Sequence, residues 1–383
     1  MKLVCSQAEL NAALSLVGRA ISSRPSHPIL TCVLLSADAA TGRLSLTGYN
    51  LSLGIISAIP ATIKTGGAVA LNAQLLSDIV SRLPSDSPIT IDAENPITIE
   101  AENPRRALIT SVSGSYDLAA LRPADYPDLP QVAGELMALD PDALARALRA
   151  TLFASSTDES KPIITGVHLQ LDDTGLECAA TDGHRLAVLR VADEGAAGAE
   201  RFELTIPARS CRELERLIAS CPGAPLQLRH QAGQLVARCG DQQLTSRSLD
   251  GTYPNYRQLI PPSFKRSLQF DRRRFSQALE RVAVLADQHR GAVKLCSDPD
   301  AGTVSITAEA QDVGSGCESL PVVAEGDAIE IAFNVRYLLD GLKAMGAEQV
   351  VLRCNCPVTP AVLTSVDGMD GFSYLVMPIQ IHS

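Results

Sequence analysis

The sequence has no tryptophan, and its seven Phe and seven Tyr make up only 4% of 383 positions. Cores must therefore be built from Leu, Val, Ile and Ala, which suits small half-buried sheets under short helices. No stretch approaches the ~18 apolar residues of a membrane span. Met1 to Leu10 lacks an apolar run behind a basic start, so no signal peptide is expected and the chain is read as soluble and cytoplasmic. Of ten cysteines only Cys354 and Cys356 form a close pair, with no second pair at zinc spacing. They read as free buried thiols of a reducing compartment, and neither a metal nor a cofactor is expected. A Gly-x-Ser-x-Gly elbow, a Walker loop and a His-Glu-x-x-His helix are all missing.

What is present is one plan written three times. A helical pattern, apolar at i, i+3 and i+4, reads Leu10, Ala13, Leu14, then Leu144, Ala147, Leu148, then Phe275, Ala278, Leu279. A second helix opens at Asn72, Pro207 and Asn334. The repeat length of roughly 130 residues is that of a whole domain, far above a solenoid period. Proline-rich joints at Pro123–Pro130 and Tyr253–Pro262 divide the chain into 1–125, 131–252 and 258–383. Period-two segments beginning at Gly42, Gly175 and Gly302, and at Pro88, Pro225 and Gln349, read as strands. The fold class is α+β, with three similar domains of two helices on mainly antiparallel sheet.

Charge is unevenly placed. The six expected helices, 7–20, 72–83, 140–155, 208–219, 271–285 and 334–345, carry 13 Lys/Arg against 9 Asp/Glu. They are therefore +4 in a chain of net −10, and the remainder is −14. The helices form a basic surface on an acidic protein, which points to an anionic partner. The run Asp271-Arg-Arg-Arg-Phe275, with Arg146, Arg149, Arg209, Arg212, Arg216, Arg336 and Lys343, strengthens that reading.

Thr181-Asp-Gly-His-Arg-Leu186 is the most distinctive local string, and Asp-Gly between apolar strands is a hairpin turn signal. A hydrolase or nucleotidyl enzyme would use Asp182, His184 and a carboxylate such as Asp158, but one imidazole and one carboxylate in a turn are weak support. A monomeric peptide-binding scaffold is the second rival. The C-terminal run from Tyr374 is apolar, but Pro378 argues against a continuing central strand and places the last residues along a surface groove.

Together, Arg24–Leu30, Gly42–Thr47, Thr181–Leu186, Asp250–Tyr256, Phe333–Tyr337 and Val376–Pro378, in this order along nearly the whole chain, resemble the bacterial sliding clamp family, the β subunits of DNA polymerase III. The resemblance implies a DNA clamp fold closing as a head-to-tail homodimer into a six-domain ring around double-stranded DNA. It implies no catalysis of its own, but processivity for DNA polymerase III in DNA replication, on the nucleoid. Its DNA-facing residues would be Arg24, Arg146, Arg149, Arg209, Arg212, Arg216, Arg336 and Lys343. A pocket would take a short Leu/Phe-containing peptide of the polymerase III alpha subunit, the clamp loader, or other polymerases and repair proteins. By family position it comprises Ile164, Thr181, Gly183, His184, Arg185, Leu186, Pro254, Leu259, Asn334, Tyr337, Val358, Leu375, Val376, Met377, Pro378 and Ile379. At the dimer interface an edge strand, Ala107–Val112 with Ala107, Leu108 and Ile109, would meet Val284 and Leu285. Pro162 and Ile163 replace DNA-contacting aromatics of some members, Arg290 and Gln258 depart at the pocket rim, and Gly114–Leu121 is longer than the family's usual connector.

Overall fold

The computed structural model describes residues 1–22, 25–93, 105–134, 136–192, 201–286, 291–310, 314–366 and 368–380. Arg24, the first residue of the family string Arg24–Leu30, and Arg290 therefore lie outside the described residues. Among the described residues six α-helices stand where the apolar periodicity places them: α1 (Gln7–Val17), α2 (Ala73–Val80), α3 (Pro141–Thr151), α4 (Ala208–Ser220), α5 (Arg272–Ala286) and α6 (Val335–Met345). The three repeated triplets, Leu10/Ala13/Leu14, Leu144/Ala147/Leu148 and Phe275/Ala278/Leu279, are all at most 3% exposed. Asn72 caps α2 by accepting from the Leu75 amide at 2.9 Å. Asn334 does the same for α6 through Arg336, and Gly346, at φ +63°, ends that helix in the left-handed region. Arg272, from the basic run at α5, donates to Leu342 O and Ala347 O at the C-terminal end of α6, where a cation is favoured.

The chain forms two compact units, Met1–Pro141 with Arg216–Ser248, and Asp142–Glu215 with Leu249–Ser383. The first holds a 13-stranded antiparallel sheet, the second a nine-stranded and a four-stranded sheet. In the first, strand Leu53–Pro60 pairs with strand Gln242–Arg247, from Leu53↔Ser246 to Ser57↔Gln242. In the second, strand Arg185–Val191 pairs with strand Phe372–Val376. The 13-stranded and nine-stranded sheets therefore each continue across a proline-rich joint, through the fourth described strand of one repeat and the last strand of the next. No helix among the described residues is long and apolar enough to cross a membrane.

Two expectations need correction. Strand Arg105–Ser111 is not an edge strand. It pairs with Pro88–Ala93 on one side and with Gly114–Leu121 on the other, and Ala107 and Ile109 are fully buried. The free edge belongs to the next strand. Gly114–Leu121 pairs with strand Gly67–Asn72 only at Leu121 and Ala120, and among the described residues Gly114–Ala119 has no partner on that side. The segment that looks like a long connector is therefore the outer arm of a hairpin whose turn is Val112-Ser113. The thiols are all free, six of them buried, but Cys317 is exposed because it points outward from strand Gly314–Pro321, at the edge of the four-stranded sheet.

Candidate functional site

The string Thr181–Leu186 builds a tight turn between strands Gly175–Thr181 and Arg185–Val191. Asp182 Oδ1 accepts from the amides of His184 (2.9 Å) and Arg185 (3.0 Å), and its Oδ2 accepts from Arg185 Nε at 2.9 Å. The carboxylate is committed to holding the turn, so it does not pair with His184 as an acid or base. Asp158 is spent in the same way, accepting from the Ser160 amide. Gly183 takes φ +91°, as such a turn requires. Asn50 builds the equivalent turn in the first repeat, accepting from Ser52 and Leu53 amides, but there Leu51 takes φ +74° and stays 48% exposed.

Strand alternation sorts the expected pocket residues onto two faces. Leu186 lies opposite Leu375, and both join a buried cluster with Ile164, Ala179, Val188, Tyr253, Tyr256 and Val362. Ile163, Ile260 and Phe264 pack against this floor, while Leu259, Val358 and Met377, also expected in the pocket, remain 52%, 58% and 37% exposed. The tail leaves the sheet after Val376. Met377 N donates to His184 O (2.9 Å) and Ile379 N to Ala332 O (2.8 Å), which suspends Pro378 between the turn and strand Glu330–Asn334. Pro254 is exposed in the joint, where its carbonyl accepts from Tyr256 N.

Arg185 and Val376 face the helices instead. Val376 is fully buried there, as is Tyr374 two residues before it. Gly341 makes room for the Tyr374 ring, whose hydroxyl donates to Tyr337 O at 2.8 Å. The Arg185 guanidinium donates to Asp340 Oδ2 (2.6 Å) and Phe153 O (2.9 Å) and lies 4.5 Å over the Tyr337 ring. Burial opposes its charge, but the Asp340 hydrogen bond, with Tyr374 and Asp182, raises its pKa above the usual value. His184, exposed, stacks on Tyr337 at 6.4 Å.

Sequence reading missed the polar group that fastens the second joint. Glu177, its side chain 9% exposed, accepts from Tyr256 Oη (2.5 Å) and Arg257 Nη2 (2.7 Å) on Oε1, and from Arg190 Nη1 (3.1 Å) on Oε2. Burial pushes its pKa up, but these donors outweigh it and the net shift is downward. Arg190 also binds Asp172, whose pKa is lowered by Thr174 first and by Arg190 next. His168 stacks on Tyr253 at 4.5 Å, and burial lowers its pKa. The signal was the pair Tyr253 and Tyr256 in a chain so poor in aromatics.

Arg146, Arg149, Arg209, Arg212, Arg216, Arg336 and Lys343 are all exposed on α3, α4 and α6, and Arg149 Nε lies 3.2 Å from Glu215. On α5, Val284 is 69% exposed and Leu285 half-buried. A side chain on Gly316 of strand Gly314–Pro321 would meet Leu285, so this end of α5 lies beside a sheet edge. No group of three or more metal-ligating side chains gathers among the described residues.

Three family models match, described as the N-terminal, central and C-terminal domains of the DNA polymerase III beta subunit, over residues 1–130, 138–255 and 257–380. The beta sliding clamp of Synechococcus elongatus is 49% identical over 385 residues, covering 100% of both chains. The DNA polymerase sliding clamp of Bacillus subtilis superposes with a TM-score of 0.92 at 28% identity, covering 100% of both chains. The Caulobacter crescentus beta sliding clamp, solved with polyethylene glycol bound, gives 0.92 at 29%, covering 100% of this chain and 99% of that one.

Proposed function

This chain belongs to the DNA polymerase III beta subunit family, whose three-domain clamp fold it shares, and we propose that it encircles duplex DNA as a head-to-tail dimer and tethers polymerases by a peptide ledge. It works as a processivity factor and catalyses nothing itself, since the one string that could suggest chemistry is consumed in building a turn. The observation that carries the reading is that turn, set against an apolar floor of Ile164, Leu186 and Leu375 and bonded to the amide of exposed Met377; exposed Leu259 and Val358 would complete the rim. Two apolar side chains of a partner peptide buried there are worth ~1.5–3 kcal/mol each, less the cost of ordering the peptide. Such moderate affinity suits partners that take turns, among them the polymerase alpha subunit and the clamp loader.

The exposed cations of α3, α4 and α6 face phosphates without reading sequence. Each neutralised phosphate adds ~0.9 to the salt slope, and a closed ring holds DNA with few such contacts. For closure, the free edge of Gly114–Ala119 and the edge strand Gly314–Pro321 replace the buried strand as the facing partners. Unlike edges on one chain make a heterologous contact, which a two-fold dimer forms twice.

The test is retention on nicked circular DNA after loading by a clamp loader. The protein is expected to stay on circles and to leave once they are linearised. Equal retention on linear DNA with free ends refutes encirclement, and a light-scattering mass of one chain at micromolar concentration refutes the ring.

A further inference from the structure

The position of Arg185 on the helix face, away from the apolar floor, has a consequence for the peptide ledge. Its side chain is 11% exposed, and three of its N–H groups are already used, by Asp182, Asp340 and the Phe153 carbonyl. Its planar group lies over the ring of Tyr337 (4.5 Å) and over that of Phe153 (5.5 Å). A guanidinium so committed has little left for a ligand. Tyr337 and Asp340 stand three residues apart on α6, hence on one side of it. Both meet the turn, Tyr337 through His184 and Asp340 through Arg185.

We infer that Asp340 is a positioning residue of the peptide ledge, clamping the Thr181–Leu186 turn to α6 through Arg185 without touching the peptide. The inference rests on the peptide-binding reading above. Without Asp340, Arg185 loses its one ligand from α6 other than ring stacking, and the turn, with His184 and the Met377 amide bonded to it, loses its polar side-chain tie to α6 and is held there by ring contacts and the Tyr374 strand.

The test uses the full chain and a fluorescein-labelled nonapeptide containing a Leu-Phe pair, read by anisotropy. Asp340→Ala is expected to weaken binding by about tenfold, Asp340→Asn, which keeps an acceptor, by less than about threefold. Combining Asp340→Ala with Arg185→Ala should weaken binding no further than Arg185→Ala alone, because the two act as one unit. A second readout needs no peptide. The His184 imidazole proton, shifted by the Tyr337 ring, should move towards its unstacked position in the NMR spectrum of Asp340→Ala. Binding by Asp340→Ala equal to that of the parent, additive losses in the double variant, or an unmoved His184 resonance each overturn the inference. If the parent itself ignores the peptide while the His184 resonance still moves, the clamp through Asp340 stands and the peptide-binding reading falls. Should Asp340→Ala unfold, Asp340→Asn and the resonance of His184 in that variant carry the decision.

Discussion

Replacing Glu177 by Gln tests whether one carboxylate fastens the second proline-rich joint. Glutamine offers one acceptor and two donors where Tyr256, Arg257 and Arg190 all donate, so at least one contact becomes donor against donor. Breaking a buried ion pair from one side costs ~3–5 kcal/mol. Here Arg257 is 54% and Arg190 34% exposed, and Arg190 keeps Asp172, so both can be partly rehydrated. That discount leaves about 2 kcal/mol. In a cooperative unit of this size, such a loss lowers the melting temperature by roughly 4–8 °C. Scanning calorimetry at pH 7 reads the difference directly. Its pH dependence supplies a second check. The folded pKa of Glu177 lies below its ordinary 4.5, so its contribution is complete above that value and is lost only as pH falls through the lower folded value. The gap between parent and variant should therefore persist down to about pH 5 and close below it. A gap under about 1 °C at pH 7, or one that closes between pH 7 and 6, refutes the reasoning.

Four further outcomes are expected. Gly341→Ala drives a methyl into the fully buried Tyr374 ring and should cost ~1–3 kcal/mol, seen as a lower urea midpoint. Tyr116→Glu, on the free-edged strand, should halve the mass measured by light scattering while leaving the circular dichroism spectrum intact; a full-size dimer rejects that edge as the closing surface. Arg209→Ala with Arg212→Ala should reduce the salt slope of DNA binding by about 2 if each meets a phosphate. Thiol labelling of the native protein at pH 8 should begin at exposed Cys317 and at Cys356, whose pKa is pulled down first by the Thr359 hydroxyl. Cys5 and Cys211, both pushed up to about 12 by burial, should label only on unfolding, and native labelling of either contradicts the burial assigned here.

The helices were legible because each writes its buried face at a local spacing, and Leu10, Leu144 and Phe275 all sit at 0% exposure. Asn72 and Asn334 were legible for the same reason, since a cap acts within three residues. The sheet edges were not. Whether Arg105–Ser111 or Gly114–Leu121 lies outermost depends on which distant strand comes alongside, and both alternate too loosely to say. The pairings of Leu53–Pro60 with Gln242–Arg247, and of Arg185–Val191 with Phe372–Val376, likewise join residues almost two hundred positions apart with no local mark. At the site, family position grouped residues that lie on two faces of one sheet. Strand alternation at Leu375 and Val376 separates them.

An open strand edge is an unfinished hydrogen-bond ladder, and among the described residues Gly114–Ala119 in one compact unit and Gly314–Pro321 in the other are two such edges. A lone chain is for that reason sticky at two places, towards its own kind and towards any extended polypeptide. If the proposed ring contact completes these ladders, solubility becomes a property of the pair. A variant that loosens the contact, such as Tyr116→Glu, is expected to stand as single chains when dilute and to aggregate on concentration well before its helices melt.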